Sequence, residues 1–496
     1  MSMGKLKLDV PEIAPVPIGT RRPFWSVMIP NYNSGRYLEQ TLKSVLEQDP
    51  GIEEMEIEVV DDCSSKDNPE IVVKEIGKGR VSFFQQPHNV GATANFNTCI
   101  QRAKGQWVHI LHSDDTVLPG FYSRLQHALE LETTVGAAFY RYIYMDEEGN
   151  WQMLSPLERT IPGILQNWLE QISVRQLIEY PAIVVRRNVY ENLGGFHSEL
   201  FHAADWEMWK RIATYYPIWY EPQPLACYRF HSTSDTSRLI ESAANIADTR
   251  RAIEISQSYL PGTIAAELSY QARENCAFKA LNIARQMLSR NNIDAAIAQI
   301  REGIKSSQSS NTITSMLELV QEVVTNSHQH NLLPLDALNL FLPAFQEPLQ
   351  EQQAIALVDS LNLRDNNLVI FPDWNLSEDL LYEDLANVIS HLMNHPDRDR
   401  TTLLMDRGNF TEEEATLFVS GVVMNLVMET DLDVADELEI ASIGQLSEMQ
   451  WEVLLPRLNA RIALEHENQQ AIARSKIESI PTYEMSSLCE LTQIVT

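Results

Sequence analysis

The stretch WSVMIPNYNSGRYLEQTLKSVLEQDPGIEEMEIEVVDDCSS, Trp25–Ser65, decides the fold. WSVMIP is an apolar run that suits a strand covered on both faces. SGRYLEQTLKSVLEQ then reads as an amphipathic helix, and MEIEVVDD as a second strand. A strand, a helix and a strand in this order form a βαβ unit, which calls for a mainly parallel sheet. The alternation continues downstream with helix KDNPEIVVKEIG, strand VSFFQQ, helix GATANFNTCIQRAKG and strand QWVHILHS. Ligands of such sheets bind beyond the carboxyl ends of the strands. That rule selects residues 30–33, 61–64, 88–91 and 112–115 as the rim of one crevice.

Further along, residues 120–240 are less regular, with strands at VGAAFYRYIYMD and AIVVRR, a turn at Gly194–Gly195 and a helix at DWEMWKRIATYY. Residues 241–330 read as helical. Within them, ENCAFKALNIARQMLSRNNIDAAIAQIREGIKSS has the small-residue spacing of an αα-hairpin of the tetratricopeptide-like kind. SSQSSNT and HQHNLLPLD mark linkers. A second alternation follows, with strands at NNLVIFPDW, RTTLLMD, ELEIASIG and ARIALEHEN. The expected organisation is a flexible tail at 1–22, an α/β domain at 23–240 and a helical region at 241–335. A smaller, non-catalytic α/β domain at 336–478 and an irregular tail at 479–496 complete it.

The chain has 496 residues, 44% hydrophobic and 21% charged, with a formal net charge of −30. Nucleic acid is an unfavourable partner for so acidic a chain. The acidity is uneven: residues 1–260 carry −9 (33 acids, 24 bases) and residues 261–496 carry −21 (35 acids, 14 bases). The rear half is therefore a poor phosphate binder, better suited to scaffolding, to holding a protein partner or to building a homo-oligomer. No apolar run reaches the roughly 18 residues of a membrane span, and the N-terminus lacks a signal-peptide core, so a cytoplasmic protein is expected. Cys63, Cys99, Cys227, Cys276 and Cys489 show no CxxC spacing, which argues against a disulfide framework or structural zinc.

At the four strand ends, several residue types could carry chemistry. Asp61–Asp62 could accept hydrogen bonds from a nucleobase or ribose, or could cap the next helix with Ser64, Ser65 and Asp67. Tyr32, after Pro30, could lie against a base or simply pack. Asp114 and Asp115 offer hard oxygen ligands to Mg²⁺ or Mn²⁺, or cap the following turn.

Taken jointly, SVMIPNYNSGRYLEQTLKSVLEQ, EIEVVDDCSS, NVGATANFNTCIQRAKGQWVHILHSDDTVLP, AIVVRRNVYENLGGF and HAADWEMWKRI resemble the nucleotide-sugar half of a family 2 glycosyltransferase with the GT-A fold. The resemblance runs from Trp25 to Tyr228, about two-fifths of the chain. It implies a metal-dependent, inverting transfer of sugar from a nucleoside diphosphate, UDP first among them, to an acceptor hydroxyl. The acceptor could be a saccharide, a lipid-linked carrier, a peptide or a small molecule. By the same resemblance Pro30, Tyr32 and Asp61 contact the nucleoside, and Asp114 and Asp115 hold Mn²⁺ or Mg²⁺. Asp205 is the catalytic base, while Gly194, Gly195 and Phe196 line the sugar and acceptor pocket. His231 stands where related enzymes carry a loop histidine that reaches the metal or diphosphate; the competing reading is an ordinary surface-loop histidine.

Three departures stand out. His112 replaces the first acid of Asp-x-Asp-Asp, Ala204 replaces the glutamate before Asp205, and Phe96 replaces an arginine before Asn97. His112 is expected to pack or to support a neighbouring ligand rather than to bind metal itself. Trp206 and Trp209 are expected as core residues on one helix face, with Trp206 also able to touch a sugar. Two other readings compete: a catalytically degenerate transferase serving as a binding scaffold, and a nucleotidyltransferase on a related sheet. PNYNSGR is a poor phosphate loop for the latter.

Overall fold

A computed structural model describes residues 10–231, 235–325, 353–430 and 438–484, with isolated positions between 342 and 351. The expected linker HQHNLLPLD, residues 1–9 and residues 485–496, with Cys489, lie outside the described residues. The chain forms two compact units, Met1–Ala344 and Phe345–Thr496.

The first unit is built on a mixed sheet of ten strands: β1 (Trp25–Asn31), β2 (Met55–Asp61), β3 (Ser82–Gln85), β4 (Trp107–Ile110), β5 (Thr116–Val117), β6 (Ala137–Met145), β7 (Trp151–Leu154), β8 (Gly163–Ile164), β9 (Ile183–Arg186) and β10 (Ile218–Arg229). Its order is β3-β2-β1-β4-β9-β6-β10-β5, with β7 beside β6 and β8 beside β10. The half β3-β2-β1-β4 is parallel throughout. All seven residues of β1 are buried, as befits a central strand covered by helices on both faces. β9 runs antiparallel between β4 and β6, and marks the change from the Rossmann-like half to the mixed half.

The helices expected at 241–330 are present, at Ala244–Gln257, Gly262–Ser289, Ile293–Ser306 and Ser310–Thr325. They are no appendage. Ile246, Ala252, Ile253, Tyr259, Ala272, Cys276 and Ala280 share one core with Trp209, Ile212 and Phe196 of the sheet domain. Cys99 and Cys227 are buried as expected, and so are Trp206 and Trp209. Part of the tail expected to be loose is also packed. The Gly195 N–H donates to Pro11 O at 2.8 Å, and Arg187 Nη2 donates to Ala14 O at 3.0 Å. Ile13, 3% exposed, supplies the apolar anchor that a free tail would lack.

The second unit holds five parallel strands, β11 (Asn366–Ile370), β12 (Thr401–Asp406), β13 (Glu439–Ile443), β14 (Ala460–Ala463) and β15 (Thr482–Glu484), in the order β13-β12-β11-β14-β15. β15 corrects the expectation of an irregular segment from Ser479. Its three residues pair with Arg461–Ala463 and give that edge of the sheet its last ladder. Among the described residues no helix is long and apolar enough to cross a membrane.

Candidate active site

The carboxyl ends of β1, β2 and β4 are stitched together by backbone hydrogen bonds. Ser113 N donates to Pro30 O, and Asp62 N donates to Asn31 O. Asp62 then accepts from Val90 N and Gly91 N at 2.8 and 2.9 Å, and so fixes the turn that leads into the helix Ala92–Arg102. Asp61 is fully buried. Its oxygens accept from Asn31 Nδ2, Ser64 Oγ, Ser64 N and Gln85 Nε2 at 2.6 to 3.0 Å. Those donors bind the carboxylate into the loop that shapes the rim. Pro30 is buried beneath the rim, while Tyr32 is 45% exposed above it.

Beyond β4 lies the acidic pair. Asp115 is 1% exposed; one of its oxygens accepts from Arg229 N at 2.9 Å, and the other, Oδ2, is buried with no partner. Burial, then the charge of Asp114, pushes the Asp115 carboxyl well above its ordinary range. Burial also works upward on Asp114, but the hydrogen bond from His231 and the nearby histidine charges hold it below its ordinary value. That bond joins His231 Nε2 to Asp114 Oδ2 at 2.9 Å. An unpartnered buried carboxylate oxygen is costly unless a cation completes it, so the pair fits a divalent ion with oxygen ligands. One ligand atom each from His112, Asp114 and Asp115 lies within 4.8 Å of the other two.

Arg229 and Thr41 hold this loop in place. The Arg229 guanidinium donates to Asp114 O at 2.8 Å, to Gln40 Oε1 at 2.8 Å and to the carbonyls of Asp146 and Glu147. Thr41 Oγ1 contacts Ser113 O and Asp115 O at 2.9 and 2.7 Å. Every partner of the guanidinium is neutral, so its positive charge remains to act on Asp115.

Asp205 opens the helix Ala204–Tyr215. That helix is fixed from two sides. Asp248, on the helix Ala244–Gln257, accepts from the N–H groups of Phe201, His202 and Ala203 at its N-terminus. Arg211 and Glu207 form a fully buried pair, and Arg211 also donates to Leu193 O and Gly195 O. Asp205 accepts from Gln176 Nε2 at 2.5 Å and from Trp206 N at 2.6 Å. Burial, then the charge of Glu179, pushes its carboxyl well above the ordinary range. Glu179 is itself raised by burial to about 7, with Lys279 and the Tyr144 hydroxyl working in the opposite direction. Tyr228 is raised by burial and then by the charges of Glu179, Asp115, Asp114 and Asp205.

The structure thus joins Pro30 to the Asp114–Asp115 loop through the Ser113 N–H and His231 to Asp114 directly, while the charge of Asp205 acts on the same buried Tyr228 as that pair. Gly194, Gly195 and Phe196 are packed against the N-terminal segment and Asn97. Gly194 has φ +82, and a Cβ there would meet Val10 at 2.5 Å; a Cβ on Gly195 would meet Asn97 Oδ1 at 2.3 Å. Asn97 brackets the backbone of Phe196, which is completely buried. These three support the floor through packing. Sequence reasoning missed Glu179, Gln176 and Arg229. The available signals were an acid one short turn before an apolar strand, and an arginine two residues before His231 at the end of β10.

The family profile described as glycosyl transferase family 2 matches residues 26–194. An uncharacterised protein of Mycobacterium tuberculosis is 28% identical over 255 residues, 48% of this chain and 76% of that protein. An uncharacterised glycosyltransferase of Rickettsia felis is 25% identical over 228 residues, 45% of this chain and only 37% of that protein. Among solved structures, a Staphylococcus aureus TarS fragment in complex with UDP-GlcNAc is 18% identical at a TM-score of 0.45, covering 57% of this chain and 81% of that one. The glycosyl transferase family 2 profile thus runs from β1 through β9 of the first unit, about a third of the chain.

Proposed function

We propose that the chain transfers a sugar from a nucleoside diphosphate, UDP in the first instance, to an acceptor hydroxyl with inversion at the anomeric carbon. The observation that carries the reading is the acidic pair beyond β4: Asp115 Oδ2 is buried without a partner beside Asp114, whose Oδ2 is held by His231 at 2.9 Å. Asp114 and Asp115 hold a divalent cation, Mn²⁺ or Mg²⁺, which when bound stabilises negative charge on the leaving diphosphate. Pro30, Tyr32 and the loop built by Asp61 receive the nucleoside. The acceptor oxygen bonds to the anomeric carbon as the bond to the diphosphate breaks, and Asp205 takes the hydroxyl proton. Gln176 orients the Asp205 carboxylate, and burial makes it a stronger base than a free aspartate. Phe230, 51% exposed and stacked on Tyr144 at 5.1 Å, offers an apolar face beside Glu179 for the acceptor.

No step is assigned to the second unit, which serves as a scaffold or partner module. The test is a screen for slow hydrolysis of UDP-, GDP- and dTDP-sugars with and without Mn²⁺ or Mg²⁺, because it needs no acceptor. Cation-dependent release of a nucleoside diphosphate from at least one donor is expected. Silence across the panel, together with failure to bind any nucleoside diphosphate, contradicts the reading.

A further inference from the structure

We propose that His112 is a third protein ligand of the cation, so that the site binds through one imidazole nitrogen and two carboxylates. Such a set favours a transition-series ion such as Mn²⁺ or Co²⁺ over Mg²⁺. The inference rests on the reading that Asp114 and Asp115 hold a divalent cation.

Two atoms of the His112–Asp114–Asp115 trio, His112 Nε2 and Asp115 Oδ2, are buried and have no hydrogen-bond partner. Buried polar atoms are almost always satisfied, so two orphans in one cluster point to a missing electrophile. His109 supplies the contrast. Three residues earlier, its Nδ1 lies 3.0 Å from Tyr122 Oη and its Nε2 lies 3.1 Å from Pro181 O. It packs in the same way, against Phe121 at 4.8 Å, yet leaves no nitrogen idle. His109 thus shows both ring nitrogens of a buried histidine satisfied within the same strand-end region.

The His112 ring is held in one plane. It stacks on Phe96 at 4.9 Å and 19°, and lies 4.3 Å from Tyr180. Phe96 and His112 are two of the three departures from the family pattern, and they touch. One removes a positive group and the other a negative one, and the stack that replaces them fixes an imidazole beside two carboxylates. His231 plays a different part, because its Nε2 is engaged with Asp114 Oδ2. It orients a ligand, as imidazoles and carboxylates around metals commonly do for one another. Imidazole suits transition ions, whereas Mg²⁺ prefers an all-oxygen octahedron that keeps several waters.

The test uses the full chain with Mn²⁺ and UDP, read by pulsed electron paramagnetic resonance and by calorimetry. Wild type should show ¹⁴N coupling to the bound Mn²⁺. His231→Ala should keep the coupling. His112→Phe, which preserves the stack, should lose it and bind Mn²⁺ about tenfold or more weakly. His112→Asp should move the Mn²⁺-to-Mg²⁺ affinity ratio at least about tenfold towards Mg²⁺. Thermal unfolding shows that each variant is folded. Bound Mn²⁺ without nitrogen coupling, or coupling lost in His231→Ala and kept in His112→Phe, overturns the role of His112 alone. No binding of either ion by wild type overturns the cation reading as well.

Discussion

The two units solve the same construction problem and reach opposite electrostatic outcomes. Both place acids beyond the carboxyl ends of parallel strands. In the second unit the acids there are settled: Asp406, at the end of β12, accepts from Gly408 N at 2.9 Å, and Asp384, on the helix Glu378–Met393, meets His466 Nδ1 at 3.2 Å beyond β14. Among the described residues of that unit, no buried carboxylate oxygen lacks a partner. In the first unit Asp115 Oδ2 is orphaned, as is Asp67 Oδ1, and the charge of Glu179 pushes Asp205 up. A parallel sheet alone therefore does not make a reaction centre. Charge buried beyond what the protein itself compensates is what separates the two, and perturbed titration at a cleft is the usual mark of such a site.

The contrast can be broken most severely at Asp205. Asp205→Asn should lower transfer about 10²- to 10⁴-fold while leaving affinity for the nucleoside diphosphate nearly unchanged. Steady-state kinetics beside calorimetry checks this, and full transfer by that variant removes Asp205 as the base. Next comes the latch on the acidic loop. Arg229→Gln should weaken cation binding about 10- to 100-fold, with Arg229→Lys between it and wild type, because a lysine cannot reproduce the fork. Equal Mn²⁺ affinity in all three proteins would reduce Arg229 to ordinary packing.

Glu179 gives the pH dependence. Its folded value of about 7 lies above the ordinary glutamate value of 4.5. The unfolded chain therefore ionises first, and stability falls as pH rises from about 4.5 to 7. Glu179→Gln should recover up to about 3 kcal/mol at pH 8 and nothing at pH 4, as read by denaturant titration. Removing that charge should also shift the acid limb of the rate profile to lower pH, since Glu179 holds Asp205 up. A limb that does not move would separate the two acids. The smallest effect belongs to the second unit: Asp384→Asn should change transfer less than about twofold and stability by about 1 kcal/mol or less. A large loss of transfer there would erase the contrast between the two sheets.

Much of this was legible in the sequence where local rules suffice. The parallel half of the first sheet followed from short apolar runs alternating with amphipathic helices, and the strand-end rule led to Asp61 and to Asp114–Asp115. What escaped was non-local or rule-breaking. β10 contains Pro222 and Pro224, which argue against a strand, yet it runs twelve residues by shifting register around Pro224. Arg229 reaches the acidic loop across 115 positions of sequence, and no spacing reveals that bond. β7 is exposed at all four residues, so no alternation marks it. Gly194–Phe196 were visible as a motif, but their burial under Val10 and Pro11 depends on a segment that reads as a tail.

The central claim is that uncompensated acid in the first unit exists to hold a cation against a nucleoside diphosphate. Calorimetry of UDP against the full chain, with and without Mn²⁺, tests it most directly, with Asp115→Asn as the control. The account predicts binding that requires the cation in wild type and is lost in Asp115→Asn. Equal UDP binding with and without cation, unaffected by that substitution, would contradict it.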